Sequence, residues 1–348
     1  MKDNVVKDRI LYLQRKIGLL IATRQVLNNQ EKEKMIRNIE NLMEQSHEEI
    51  NNLVSDDIVN IYEDELDKAL EYLKAKGVML STSLNSQVHA FALDNILTDT
   101  MLDLSAAYRT AQKRLIDNIE ETLSKVQEDI ADGVMFGDTR RKTVKRVYDD
   151  FLDKGLTSFT TIDGKDLPLD FYAETVVRTK TSTASINAHA NTYKEAGVNL
   201  VEVVGASDPC GDCSAYHNIV FSLDGQDDRF PHVDVQSLFP LHPNCRCNVL
   251  PYVLEYEESE SIDEKIEKGK TFNPNVDKRT KKQKEQYEDI QRRRRIARQE
   301  MKQYDKIRSV LGDDAPKTIG AYRRMKRANS KRYKEIQAQM RSLNKNSG

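Results

Sequence analysis

All four cysteines of this 348-residue chain lie between Cys210 and Cys247, and their spacing is the first feature that could do chemistry. The sequence reads Asp208-Pro209-Cys210-Gly211-Asp212-Cys213. After 31 further residues, the last of them Leu241-His242-Pro243-Asn244, comes Cys245-Arg246-Cys247. A C-x2-C pair curls two sulfurs toward one point, and Gly211 eases the turn. In an extended segment side chains alternate, so Cys245 and Cys247 point to one side. Two such pairs can build a tetrahedral thiolate site for Zn2+, with His242 as the substitute fourth ligand. His217 and His232 stand outside the pairs and are weaker candidates. A metal held by four protein ligands is structural, because no position remains for a water. The C-x-C half is less usual than a second C-x2-C, and two other readings stand beside zinc. The four could form two disulfides, or they could be reduced thiols that only pack.

Other constellations are weaker. Pro231-His232-Val233-Asp234 lies between the cysteine pairs, where a zinc-braced nuclease of the His-Asn-His type carries its catalytic histidine. Here no Asp precedes His232, and no second histidine stands where a catalytic metal would need it. Arg178 with Glu202, or Ser182-Thr183 with Glu195, resemble fragments of an ADP-ribosyltransferase site. Arg178 and Ser182-Thr183, however, fall in one predicted helix and not on separate strands. The chain has no phosphate-binding glycine loop, no serine elbow and no H-E-x-x-H. The expectation is a protein without a catalytic site.

The elements that must position the cysteines are mostly helical. Val6, Ile10, Leu13, Ile17, Leu20 and Ile21 repeat every three or four residues and predict a helix over 3–27. Ile58, Ile61, Tyr62, Leu66, Ala69, Leu70 and Leu73 form a second seam that ends near Gly77. Val88, Phe91, Leu115, Ile119, Leu123, Val126 and Ile130 suggest a third. Asp132-Gly133 and Gly137-Asp138 interrupt the pattern, and a basic helix follows Thr139. Residues 156–167 read as a hairpin about Asp163-Gly164. Pro168 suits the first turn of the next helix, which should stop at Gly197. Leu200, Val201, Val203 and Val204 predict a strand. Residues 205–252 hold three of the six histidines and five of the eight prolines. They are loop-rich, with only a small core of large apolar residues, a composition that calls for a staple. Residues 255–267 are acidic and low in hydrophobicity, as a linker would be. The tail reads as a helical hairpin turning at Gly312 and Pro316. Its first face carries Tyr287, Ile290, Ala297, Met301, Tyr304 and Leu311; its second carries Tyr322, Met325, Tyr333, Ile336, Met340 and Leu343.

Charge is divided along the chain. Residues 278–348 carry 23 Lys+Arg against 8 Asp+Glu, a balance of +15, whereas residues 1–277 carry 31 against 48, a balance of −17. A basic tail on an acidic body points to an anionic partner, with nucleic acid the commonest. Arg292, Arg293, Arg294, Arg295, Arg298, Arg323, Arg324, Lys326 and Arg327 are the candidate contacts to DNA phosphates. No run of 18 apolar residues exists to cross a membrane. The polar N-terminus lacks the pattern of a secretory signal, so a reducing compartment is expected, which favours metal over disulfides.

One stretch resembles a known family. Ala173-Glu174-Thr175-Val176-Val177-Arg178-Thr179, Asn187, Tyr193, Gly197-Val198 and Val201-Glu202-Val203 lead into Asp208-Pro209-Cys210-Gly211-Asp212-Cys213. The stretch closes with Leu241-His242-Pro243-Asn244-Cys245-Arg246-Cys247 and Pro251. Together they are similar to the bacteriophage minor capsid protein 2 group and the related minor head proteins of the phage Mu F type. The resemblance implies a structural component of a tailed-phage virion, made in the host bacterial cytoplasm and placed in the head near the portal vertex. It also implies a part in head assembly or genome ejection, with the portal and/or major capsid protein as partners; the basic tail points to packaged double-stranded DNA, and the lack of an apolar span to no membrane.

The expected architecture is mainly α. Residues 1–135 are an N-terminal helical region whose seams could serve self-association. Residues 136–254 are a small α+β module with the cysteine site, 255–277 an acidic linker and 278–348 a basic helical tail.

Overall fold

The computed structural model describes residues 3–22, 29–79, 83–117, 158–160 and 166–342. Helix α1 (Asp3–Ala22) buries Val6, Ile10, Leu13 and Ile17, the seam its spacing predicts. Helix α2 (Asn29–Ala75) is far longer than the seam at 58–73 implied, 47 residues or about 70 Å at 1.5 Å per residue. Its buried face starts at Met35, Ile39 and Met43 and continues through Ile50, Val54, Ile58, Tyr62, Ala69 and Leu73. Gly77 ends it in the left-handed region at φ +68°, where a Cβ would stand 2.2 Å from the Tyr256 hydroxyl.

Helix α3 (Ser86–Asp117) corrects the third seam. Val88 and Phe91, expected inside, are 39% and 69% exposed. The buried face is His89, Ile96, Thr100, Leu104, Tyr108, Ala111 and Leu115. His89 turns inward because its Nδ1 meets the Tyr62 hydroxyl at 2.9 Å, and that bond rotates its apolar neighbours outward. Ile119, Leu123, Val126, Ile130, the breaks at 132–138 and the basic helix after Thr139 lie outside the described residues.

Strands β1 (Ser158–Thr160) and β2 (Asp166–Pro168) pair antiparallel with Phe159 opposite Leu167, while the Asp163-Gly164 turn lies outside the described residues. Pro168 closes β2 and does not open the helix; α4 starts at Leu169 and runs to Glu195, with Gly197 at φ +75° beyond it. The second half of α4 is buried on nearly all sides, through Ala184, Ile186, Ala188, His189, Ala190, Asn191, Thr192 and Tyr193. Along α4 the hydroxyls of Thr175, Thr179, Thr183 and Thr192 each donate to the carbonyl four residues back, whereas His189 and Asn191 find partners on other elements. Weak amphipathicity is what a central helix shows.

A three-stranded antiparallel sheet has the order β4-β3-β5: β3 is Leu200–Val204, β4 Val220–Ser222 and β5 Asn248–Pro251. Short helices α5 (Gly211–Tyr216) and α6 (Val235–Leu238) fill the loops. The acidic stretch read as a linker instead carries helix α7 (Ser259–Lys270). Ile266 packs against Leu200, Val220, Phe230 and Tyr252, and Lys265 pairs with Glu202. Low hydropathy hid a helix that needs only one apolar edge.

The tail departs from a simple hairpin. Helix α8 (Lys281–Leu311) leads through a 3-10 turn at Gly312–Asp314 to α9 (Ile319–Arg327) and α10 (Lys331–Ser342). The second arm is broken at Asn329, which sits at φ +44°. Tyr304, Ile307, Leu311, Ala315, Tyr322 and Ile336 form its core.

Two compact units emerge. One comprises Met1–Val6, Glu49–Ala106 and Phe171–Glu288; the other comprises Lys7–Glu48, Ala107–Asp170 and Asp289–Gly348.

Candidate functional site

The sheet register gathers the cysteines. Val204, the last residue of β3, pairs with Asn248, the first of β5. The chain leaving β3 toward Cys210 and the chain arriving through Cys247 therefore lie at the same end of the sheet. Cys210 then caps α5: its backbone is extended, and its Sγ accepts from Cys213 N at 3.4 Å. Between Pro243 and Cys245 the chain turns at Asn244, φ +65°, with Cys245 N donating to His242 O at 3.0 Å.

Five side chains converge as a result. Cys213 Sγ is 3.7 Å from Cys245 Sγ, and His242 Nε2 is 3.1 Å from Cys210 Sγ and 3.2 Å from Cys213 Sγ. Two overlapping groups have ligand atoms mutually within 4.8 Å: Cys210, Cys213 and His242, and Cys213, Cys245 and Cys247. Cys213 belongs to both. Zinc–sulfur bonds of about 2.3 Å put the corners of a tetrahedron about 3.8 Å apart, close to the Cys213–Cys245 separation. All four thiols are free in the structure.

The imidazole of His242 is oriented for the same task. Its Nδ1 is 2.9 Å from Pro243 O, and a carbonyl only accepts, so Nδ1 carries the proton. The lone pair on Nε2 is left facing the sulfurs, the tautomer a metal ligand needs. The hydrogen bond from Cys213 favours the thiolate at Cys245 and drives the Cys213 thiol upward. Metal ligation requires the thiolate.

Residues that the motif did not flag brace the two loops. Arg246, inside Cys-Arg-Cys, donates to Asp208 Oδ1 at 2.9 Å and Asp208 O at 3.2 Å, tying one cysteine loop to the other. Arg178 reaches Asn244 Oδ1 at 3.3 Å while paired with Glu174. An acidic first loop, with Asp208 and Asp212, facing the single arginine of Cys-Arg-Cys was the sequence signal for the first brace. His217, set aside as outside the pairs, has Nε2 at 3.6 Å from Cys247 Sγ. Its ring occupies the space over Gly205, where a Cβ would come within 2.1 Å. Burial lowers its pKa.

Behind the sheet lies a polar cluster that no motif announced. Glu65 accepts from Ser185 Oγ at 2.8 Å and Lys68 Nζ at 2.6 Å, and stands 3.2 Å from His189 Nε2. His189 Nδ1 is 3.1 Å from Val249 O, next to the start of β5. The contact with His189 first, then those with Lys68 and Ser185, hold the Glu65 carboxyl down to about 2 against burial.

The residues weighed for catalysis are placed apart or used structurally. His232 Nδ1 meets Ser222 O at 2.8 Å, and Asp234 caps α6 by accepting from Gln236 N and Ser237 Oγ. Ser182 and Thr183 share α4 with Arg178, Glu202 pairs with Lys265, and Glu195 accepts from Asn85 N. The nuclease reading has no support in this arrangement.

In the tail, Arg292, Arg293, Arg294, Arg295 and Arg298 are exposed on α8, and Arg324 and Arg327 on α9. Arg292 and Arg293 pair with Asp289. Arg323 and Lys326 reach Glu300 at 3.1 and 3.3 Å, so acidic side chains neutralise part of the basic face.

Among known proteins, a family model described as phage minor capsid protein 2 matches residues 22–344. No curated protein and no solved structure matches the chain. No helix among the described residues is long and apolar enough to cross a membrane.

Proposed function

The chain belongs to the phage minor capsid protein 2 family, and from that premise we propose that it is a non-enzymatic structural component of a tailed-phage head, associated with the portal and with packaged DNA. The match over residues 22–344 carries this reading, since it spans both the cysteine module and the tail. The tail supplies the DNA contacts, through the exposed arginines of α8 and α9, and holds phosphates without reading sequence. The module supplies a rigid body for protein contacts to portal or coat, and the N-terminal helices add self-association.

One Zn2+ closes the module, bound by Cys213 and Cys245 with two ligands drawn from Cys210, Cys247 and His242. Soft thiolates and an imidazole suit zinc. The metal's contribution is folding energy alone: it ties the end of β3 to the start of β5 around a loop-rich segment.

Two measurements test the reading. Mass spectrometry of purified particles from the encoding phage should find the chain in filled heads at a few copies; its absence from particles contradicts a structural role. The intact protein should bind duplex DNA with affinity that falls steeply with salt, and removal of residues 278–348 should abolish binding. A truncated protein that binds as well as the whole one removes DNA from the list of partners.

A further inference from the structure

The segment that joins the module to the tail is fastened to the cysteine loop itself. Phe272 packs edge-on against Tyr216 and Phe221, with ring centroids 5.2 Å from each. Five residues later the chain crosses the loop that carries Cys210 and Cys213. Ser214 Oγ donates to Asp277 Oδ1 at 3.2 Å, Lys278 N donates to Ser214 Oγ at 3.2 Å, and Arg279 Nη1 donates to Pro209 O at 3.3 Å. Arg279 also donates twice to Asp277, at 2.9 Å each, and its guanidinium lies 5.0 Å from the Tyr287 ring centroid. Its side chain is only 13% exposed. A Cβ on Gly211 would stand 3.3 Å from Arg279 Nη2, so the glycine between the two cysteines gives the guanidinium room.

Helix α8 starts two residues after Arg279, at Lys281. Thr280 and Gln283 form a reciprocal capping box: Gln283 N donates to Thr280 Oγ1 at 3.3 Å, and Thr280 N donates to Gln283 Oε1 at 2.8 Å. Lys284 adds a contact of 3.2 Å to Asp277. The partners that hold the segment leading into α8 are thus Pro209 and Ser214, which bracket the C-x2-C pair.

We propose that the cysteine–histidine centre is the anchor of the basic tail's first helix, so that emptying the centre releases residues 273–287 from the module. This rests on the metal reading given above. The causal order is specific. Without a metal, Cys210 and Cys213 lose the bond that fixes their loop, and Pro209 O and Ser214 Oγ lose the positions Arg279 and Asp277 require. The reverse does not hold, because Arg279 and Asp277 are not ligands.

Hydrogen exchange on the full-length protein, read by mass spectrometry alongside zinc content, tests it. A strong chelator under reducing conditions should raise exchange in peptides from 205–252 and from 273–287 together, the latter by about tenfold, as expected when a local opening loses its charge-assisted bonds. Arg279→Ala should raise exchange over 273–287 while zinc content stays at the wild-type value. Stoichiometric zinc whose removal leaves 273–287 protected overturns this inference and spares the metal reading. Protein isolated without zinc overturns both. Loss of zinc in Arg279→Ala also overturns it, because the brace would then be holding the metal site and not the reverse.

Discussion

The module that carries the cysteines and the three tail helices are held together in different ways. The module is crowded with groups that cannot be exchanged. Its sulfurs and His242 converge at 3.1–3.7 Å, Gly205 admits a histidine ring, and Arg246 bonds Asp208 across the two loops. The tail relies on generic forces: an aromatic core of Tyr304, Tyr322 and Tyr333, ion pairs to Glu300, and a surplus of arginine on the surface. A site built from specific chemistry fails at single atoms, whereas a helical assembly built from periodicity fails in proportion to the volume removed.

The sharpest break in that comparison comes from Cys213→Ser. Cys213 shares both potential ligand groups, so its loss should remove the zinc and unfold residues 205–252, more severely than Cys210→Ser or Cys247→Ser. Zinc content with limited proteolysis reads this; residues 273–287 should loosen with the module, while the tail beyond them should keep its protection. Tyr322→Ala is the converse. The ring is fully buried, and its removal should cost about 3 kcal/mol and lower the thermal midpoint without changing zinc content.

Glu65→Gln probes the polar side of the module at a cost of about 2 kcal/mol, because Lys68 and His189 lose a charged partner. The pH dependence follows from the direction of its shift. The folded pKa is depressed to about 2 from 4.5, so this carboxylate's contribution is fully present above pH 4.5 and is lost as pH falls toward 2. Stability measured across that window should fall less steeply in Glu65→Gln than in the parent. The smallest effect is expected from neutralising Arg294, Arg295 and Arg298 with Gln. Fold and zinc content should not change, and the salt dependence of DNA binding should lose about 0.9 in log–log slope for each phosphate contact removed. An unchanged slope would move the DNA contact away from α8.

What could be read beforehand differs between the two regions for the same reason. The C-x2-C and His-Pro-Asn-Cys-Arg-Cys spacings named the residues that converge, because short-range geometry forces side chains together. The sequence could not say which of Cys210, Cys247 and His242 complete a ligand set, since that depends on how β3 registers against β5. The contact of His217 with Cys247 was not legible, because it depends on the space over Gly205, a meeting of distant positions. In the tail, heptad-like spacing located the helices but not the break at Asn329. Along α3, periodicity alone favoured Val88 and Phe91; the polar bond between His89 and Tyr62 set the buried face instead. The acidic stretch 255–267 looked like a linker because its helix needs a single apolar edge.

Native mass spectrometry of the full-length chain, purified under reducing conditions, tests the central claim most directly. The account predicts an intact mass equal to the chain plus one zinc ion, falling to the bare chain on denaturation and absent from Cys213→Ser. A folded protein at the bare mass, or one lighter by the four hydrogens of two disulfides, would contradict it.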